Sequence, residues 1–182
     1  MTGRFGRRVT PRSAGFQPAR TPGGARRPLH AALGRTPYFV STRVHGSKRV
    51  FVGDVARVAQ DELKALRAAY GFLLLAYVFM PDHAHFVIVP AGDYTIAQTM
   101  RLVKGGIARR VNAVLGQSGK LWQEGFFEYA PRTREQLNAY IEYVHANPVK
   151  AGTVNMAESF AYSSADGSCM RDYQAFFEAE RE

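Results

Sequence analysis

Three things are scarce in this chain, and each scarcity excludes a class of protein. The 182 residues include one cysteine, Cys169, so no disulfide framework can close within the chain, which is consistent with a reducing cytosol. Long apolar runs are absent. The longest covers residues 71–79, far short of the roughly 20 residues that span a bilayer, and the N-terminus has no continuous apolar core for export. The expectation is a soluble, cytoplasmic protein with no membrane partner. Acidic residues are missing from residues 1–35, which hold eight arginines (Arg4, Arg7, Arg8, Arg12, Arg20, Arg26, Arg27 and Arg35) and so account for eight of the nine net positive charges.

The basicity therefore belongs mainly to an N-terminal segment. Pro11, Pro18, Pro22, Pro28 and the Gly23-Gly24 pair interrupt it, no apolar period runs through it, and it is expected to be disordered in isolation. Such a segment either slides along nucleic-acid phosphates or is an extension with no specific role. What remains suits one domain of roughly 130 to 150 residues, read here as residues 36–164, with a C-terminal tail over 165–182 whose short amphipathic segment, Tyr173 to Phe177, either covers the site or mediates contacts.

Within that domain the pattern switches repeatedly between strand and helix. Tyr38 to Val44 is aromatic and β-branched, as a first strand should be. Asp54 is placed to cap a helix whose stripe is Val55, Val58, Leu63, Leu66 and Ala69, ending at Tyr70-Gly71. Residues 72–79 read as a strand buried on both faces, and Pro81-Asp82 turns the chain into a strand from His83 to Val89. A second helix over 95–115 carries Ile96, Met100, Val103, Ile107, Val111 and Val114 on one face and Arg101, Lys104, Arg109 and Arg110 on the others, with no acid of its own. That is either a solvated face or a phosphate-binding surface.

Residues 121–129, with the single tryptophan near their start, read as a further strand whose aromatics either pack inward or stack on unpaired bases. The order β-α-β-β-α-β predicts an α+β, ferredoxin-like antiparallel sheet with two helices on one face. A third helix is expected from Thr133, with Gln136 completing a capping box, and should stop at or before Asn147 because Pro148 follows.

Two places carry chemistry. His83 and His85 are two apart on a strand and so share a face, with Ala84, Val87 and Val89 assigned to other directions. A lone strand histidine is usually a core or turn residue, but a His-x-His pair can share a cation. On the third helix Tyr143 and Asn147 are four apart and share a face, with Tyr140 one turn earlier. A phenol, with its pKa of about 10, is a possible covalent nucleophile if a cation or dipole activates it.

Met80-Pro81-Asp82-His83-Ala84-His85, Leu121-Trp122-Gln123-Glu124-Gly125-Phe126-Phe127 and Tyr143-Val144-His145-Ala146-Asn147-Pro148-Val149-Lys150-Ala151-Gly152 resemble the signature blocks of the REP-associated tyrosine transposases, a branch of the single-tyrosine HUH transposases. The resemblance implies a bacterial enzyme, nucleoid-associated when on DNA, that nicks and joins single-stranded DNA beside palindromic hairpins. It implies Tyr143 as nucleophile, His83 and His85 as the histidine pair, and Asn147 where the family places a polar third metal ligand. It also implies Mg2+ or Mn2+, although imidazole ligands by themselves favour softer ions such as zinc. Arg101, Lys104, Arg109 and Arg110 are the expected DNA-backbone contacts, and family members occur both as monomers and as homodimers. Two other readings fit the same residues: a hairpin-binding module without chemistry, and a hydrolase in which the histidines activate water.

Overall fold

The computed structural model describes residues 35–178. The basic N-terminal segment lies outside the described residues except for Arg35. In chain order the elements are β1 (Tyr38–Arg43), α1 (Gly53–Tyr70), β2 (Leu73–Met80), β3 (His83–Val89), α2 (Ile96–Val114), β4 (Phe127–Tyr129), α3 (Arg134–Lys150) and α4 (Met170–Glu178). The strands form one sheet in the order β2-β3-β1-β4, with every neighbouring pair antiparallel. This is the expected ferredoxin-like arrangement.

Each face of the sheet has its own core. On one face α1 and α2 cover Val40, Phe79, Ala84, Phe86 and Ile88. On the other, Leu137, Tyr140 and Val144 of α3 and Phe176 of α4 cover Phe39, Val78, Val87 and Val89. Double coverage explains why β2 is apolar almost throughout. A bulge between Leu74 and Ala76 adds one residue to β2, a local irregularity that one-sided patterning does not reveal. Val87 and Val89 share the face of His83 and His85, as the period of two requires, so assigning them elsewhere was incorrect.

Several sequence expectations shift at element ends. Asp54 does not cap α1; Val52 holds the N-cap position, and Asp54 sits in the first turn, where a carboxylate favours the helix dipole. The α1 stripe is Ala56, Ala59, Leu63 and Leu66, with Ala69 exposed. Gly71 ends the helix in the left-handed conformation (φ 71°). Thr95 caps α2 through a full capping box with Gln98, while Val114 is exposed at the far end. Gly106 lies where α1 and α2 cross: a Cβ there would meet Leu66 Cδ1 at 2.7 Å.

The strand expected over 121–129 contracts to three residues. Trp122 forms an isolated bridge with Val44 and is buried, its Nε1 donating to the Lys104 carbonyl (3.1 Å), so it packs and does not stack on bases. Thr133 caps α3 by accepting from Gln136 N (3.2 Å), but Gln136 Oε1 reaches back to Arg132 N and not to Thr133 N. The helix continues through Pro148 to Lys150. Near a C-terminus a proline removes only one late hydrogen bond, and Ala151 N still donates to Asn147 O (2.9 Å) and Thr153 N to Pro148 O (2.9 Å).

Residues 165–178, expected to form a tail, supply α4, which packs against β2. Buried Asp172 accepts from the Arg67 guanidinium and from Leu74 N (2.9 Å). Its hydrogen bond and charge raise the Arg67 pKa against the opposing effect of burial. Asp172→Ala would leave the buried Leu74 N–H without its acceptor while the partly exposed Arg67 turns to water, and is expected to destabilise the fold by about 2 kcal/mol, measured as a lowered denaturant midpoint at constant slope. A change below about 0.5 kcal/mol would mean that this link carries no stability.

Candidate active site

β3 presents His83 and His85 on the face covered by α3, their ring centroids 4.9 Å apart. Asp82, in the turn before β3, accepts from His83 Nδ1 (2.7 Å) and lies 3.6 Å from Arg43. Burial would raise the Asp82 pKa, but the His83 hydrogen bond and the charges of His83 and Arg43 outweigh it and lower it. An Nδ1 proton held by a carboxylate leaves Nε2 with its lone pair available, the arrangement by which carboxylates orient metal-binding histidines.

His85 is only 5% exposed, and its Nδ1 is buried without a hydrogen-bond partner. Burial, and then the charges of His83 and Arg43, push its pKa down to about 3 against an opposing interaction with the Asn147 side chain. The ring is therefore neutral at physiological pH, the form that binds metals. An orphaned buried nitrogen costs about 1–3 kcal/mol.

α3 brings the tyrosine to this face. The Tyr143 ring meets the His85 ring edge-on at 5.5 Å between centroids, and Lys150 Nζ lies 5.0 Å from the centre of the Tyr143 ring. Asn147 Nδ2 donates to the Tyr143 carbonyl (2.7 Å), fixing the amide one turn beyond the tyrosine. Because α3 runs unbroken through Pro148, Tyr143, Asn147 and Lys150 stay in helical register. Tyr140 is on the same helix but stacks on Phe39 at 4.6 Å and is buried. Burial, with Tyr129 and Tyr143 nearby, pushes its hydroxyl up to about 12.

The structure thus gathers His83, His85, Tyr143 and Asn147 into one place. Among the described residues no three His, Cys, Asp or Glu side chains are grouped to hold a metal. A cation here would rely on two imidazoles and the Asn147 amide; the buried, neutral His85 ring, which interacts with the Asn147 side chain, beside the Asp82-oriented His83 fits that role.

The four basic residues are not part of this cluster. They lie on α2, which covers the opposite face of the sheet. Lys104 Nζ donates to the carbonyls of Gln123 (3.0 Å) and Gly125, and burial lowers its pKa. Arg109 is 4.0 Å from Glu62 of α1, so the positive charge of α2 is opposed from the neighbouring helix. Arg101 and Arg110 are exposed. Sequence reasoning passed over Asp82 as a turn residue, Lys150, and Phe39, whose ring touches those of His85, Tyr140 and Tyr143. Asp82 directly precedes the first histidine and Lys150 lies two turns past Tyr143, so both were readable; Phe39 is found only once the strand register is known.

The fold is that of a tyrosine transposase. A REP-associated tyrosine transposase solved bound to a REP hairpin superposes with a TM-score of 0.63 at 20% identity, covering 75% of this chain and 80% of that one. The model of the IS200-like transposase family matches residues 38–147, and the chain belongs to that family. The ISDra2 transposase TnpA of Deinococcus radiodurans is 30% identical over 105 residues, covering 53% of this chain and 75% of the relative. A Haemophilus influenzae protein assigned to the REP-associated tyrosine transposases is 25% identical over 137 residues, covering 70% of this chain and 78% of that one. The REP-associated tyrosine transposase of Escherichia coli is 28% identical over 94 residues, 51% of this chain and 54% of its own. The chain is a DNA transposase similar to the REP-associated branch, and no helix among the described residues is long and apolar enough to cross a membrane.

Proposed function

We propose that this transposase nicks and rejoins single-stranded DNA beside palindromic hairpins through a 5′-phosphotyrosine link on Tyr143. The observation that carries the reading is the position of Tyr143, edge-on to His85 and beside Lys150. The Tyr143 oxygen attacks the scissile phosphorus, an O–P bond forms, and the bond to the 3′ oxygen breaks. The 3′ oxygen leaves and takes up a proton, and the phosphate stays on the tyrosine as a diester. Reversal of the attack by a 3′ hydroxyl from another junction exchanges strands without ATP, because the ester conserves the bond.

Each neighbour has a part in this reading. Lys150 places a positive charge against the ring that must lose its proton. Asp82 orients His83, Phe39 supports His85 and Tyr143 from below, and Asn147 locks the last turn of α3. His83, His85 and Asn147 would hold a divalent cation, Mg2+ or Mn2+, which when bound would supply polarisation of the scissile phosphate. The partner is a single strand carrying a hairpin, as in the REP-hairpin complex of the structural relative.

Incubating the protein with a 3′-end-labelled strand and Mn2+ tests the proposal. The label is expected in a denaturant-resistant protein adduct; a free labelled fragment ending in 5′ phosphate would instead establish hydrolysis.

The hairpin's backbone is proposed to reach the basic face of α2, with Arg101 and Arg110 as its principal contacts and Lys104 and Arg109 adding positive potential. Replacing Arg101 and Arg110 by Ala is expected to weaken binding about equally for all sequences and to reduce the slope of log affinity against log salt by about 2. An unchanged slope would remove α2 from the interface.

A further inference from the structure

We infer that the cleft between β1 and the loop of residues 123–127 is a subsite for one unpaired nucleotide of the DNA strand, its base stacked on Phe127 and its phosphate on Arg43. The inference rests on the single-strand reading above and names where that strand lies next to the catalytic residues. The cleft holds about 470 Å³ and is lined by Ser41, Arg43, Gln123, Glu124, Phe126 and Phe127. Residues directly opposite each other on neighbouring strands share a face. Phe127 pairs with Ser41, and Ser41 pairs with His85, while Arg43 pairs with His83. One cross-strand row therefore runs Phe127, Ser41, His85, spanning two strand spacings, or about 10 Å, and the next row starts at Arg43.

Phe127 is 57% exposed, its ring set at 64° to Phe39, which also touches His85 and Tyr143. A single exposed phenylalanine means little. Here it stands in line with the histidines, and an arginine, 42% exposed and 3.6 Å from Asp82, is at the same cleft. An aromatic face beside a guanidinium is the pairing that holds single-stranded nucleic acid, by base stacking and by phosphate contact. Gln123 and Glu124 offer an amide and a carboxylate for a base edge.

The far wall of the cleft is built to keep its shape. Lys104 ties the carbonyls of Gln123 and Gly125, Gln123 N donates to Arg43 O (2.8 Å), and Gly125 takes φ 68°, where a side chain would be strained. A preformed wall lowers the ordering cost of binding. It also gives Lys104 a use that needs no phosphate of its own.

The test places 2-aminopurine at successive positions of the unpaired strand flanking a hairpin and measures its fluorescence with full-length Tyr143→Phe protein, which leaves the strand intact. Quenching at one position is expected, lost in Phe127→Ala and retained in Phe127→Trp. Affinity for the unpaired strand should fall about tenfold or more in Phe127→Ala, while affinity for the hairpin duplex stays constant. Arg43→Ala should lower single-strand affinity together with its salt dependence. Quenching and affinity that ignore Phe127→Ala overturn the subsite. If the protein with native Tyr143 forms the covalent adduct in that case, the phosphotyrosine reading survives alone; a position-specific quench with no adduct from that protein leaves the subsite standing without the chemistry.

Discussion

Tyr143→Phe is expected to abolish covalent capture of cleaved DNA, a loss on the order of 10⁴-fold or more, whereas Tyr140→Phe is expected to retain capture within about threefold. Both substitutions remove one oxygen and keep the ring, so the fold and the affinity for DNA should be unchanged. The two tyrosines differ in what surrounds them. Tyr143 faces His85 and the Lys150 ammonium. Tyr140 is stacked on Phe39 and against Tyr129, and its buried hydroxyl, pushed up to about 12, resists ionisation. Denaturing electrophoresis of the labelled strand with each variant decides the matter; capture lost in Tyr140→Phe and kept in Tyr143→Phe would exchange the assignments.

His85→Leu is expected to eliminate Mn2+ binding and cleavage together, yet to leave the melting temperature unchanged or raised by a few degrees. The reason is the orphaned Nδ1: a buried polar atom with no partner destabilises the fold, and an apolar side chain among Phe39, Val87 and the α3 residues does not carry that cost. A residue that harms stability where it stands is retained for another purpose. Calorimetric titration with Mn2+ and a thermal melt give the two halves of the result. A melting point lowered by more than about 5 °C, about 2 kcal/mol for a chain of this size, would make His85 a packing residue instead.

How much was legible in the sequence depended on whether a feature was local. The period of two set His83 and His85 on one face, and Thr133 marked its helix start, because strand alternation and the N-cap there are decided within a few residues. The β-α-β-β-α-β order followed from the same local patterns. Pro148 misled because its general bias against a preceding helical residue is overridden where the last turn finds other hydrogen bonds, and that exception is what keeps Asn147 beside Tyr143. Lys104 looked like a free cation on a basic helix; only the fold brings the carbonyls of Gln123 and Gly125 beneath it. The row from Phe127 through Ser41 to His85 joins three strands that are distant in sequence, so it exists only once the register is known.

The central claim is that one phenolic oxygen becomes bonded to DNA phosphorus. Mass spectrometry of peptides from protein incubated with a hairpin-bearing strand and Mn2+, after nuclease trimming, tests it most directly. The account predicts a nucleotide 5′-phosphate remnant on the peptide that contains Tyr143. Cleaved DNA ending in free 5′ phosphate, with every tyrosine peptide at its unmodified mass, would contradict it.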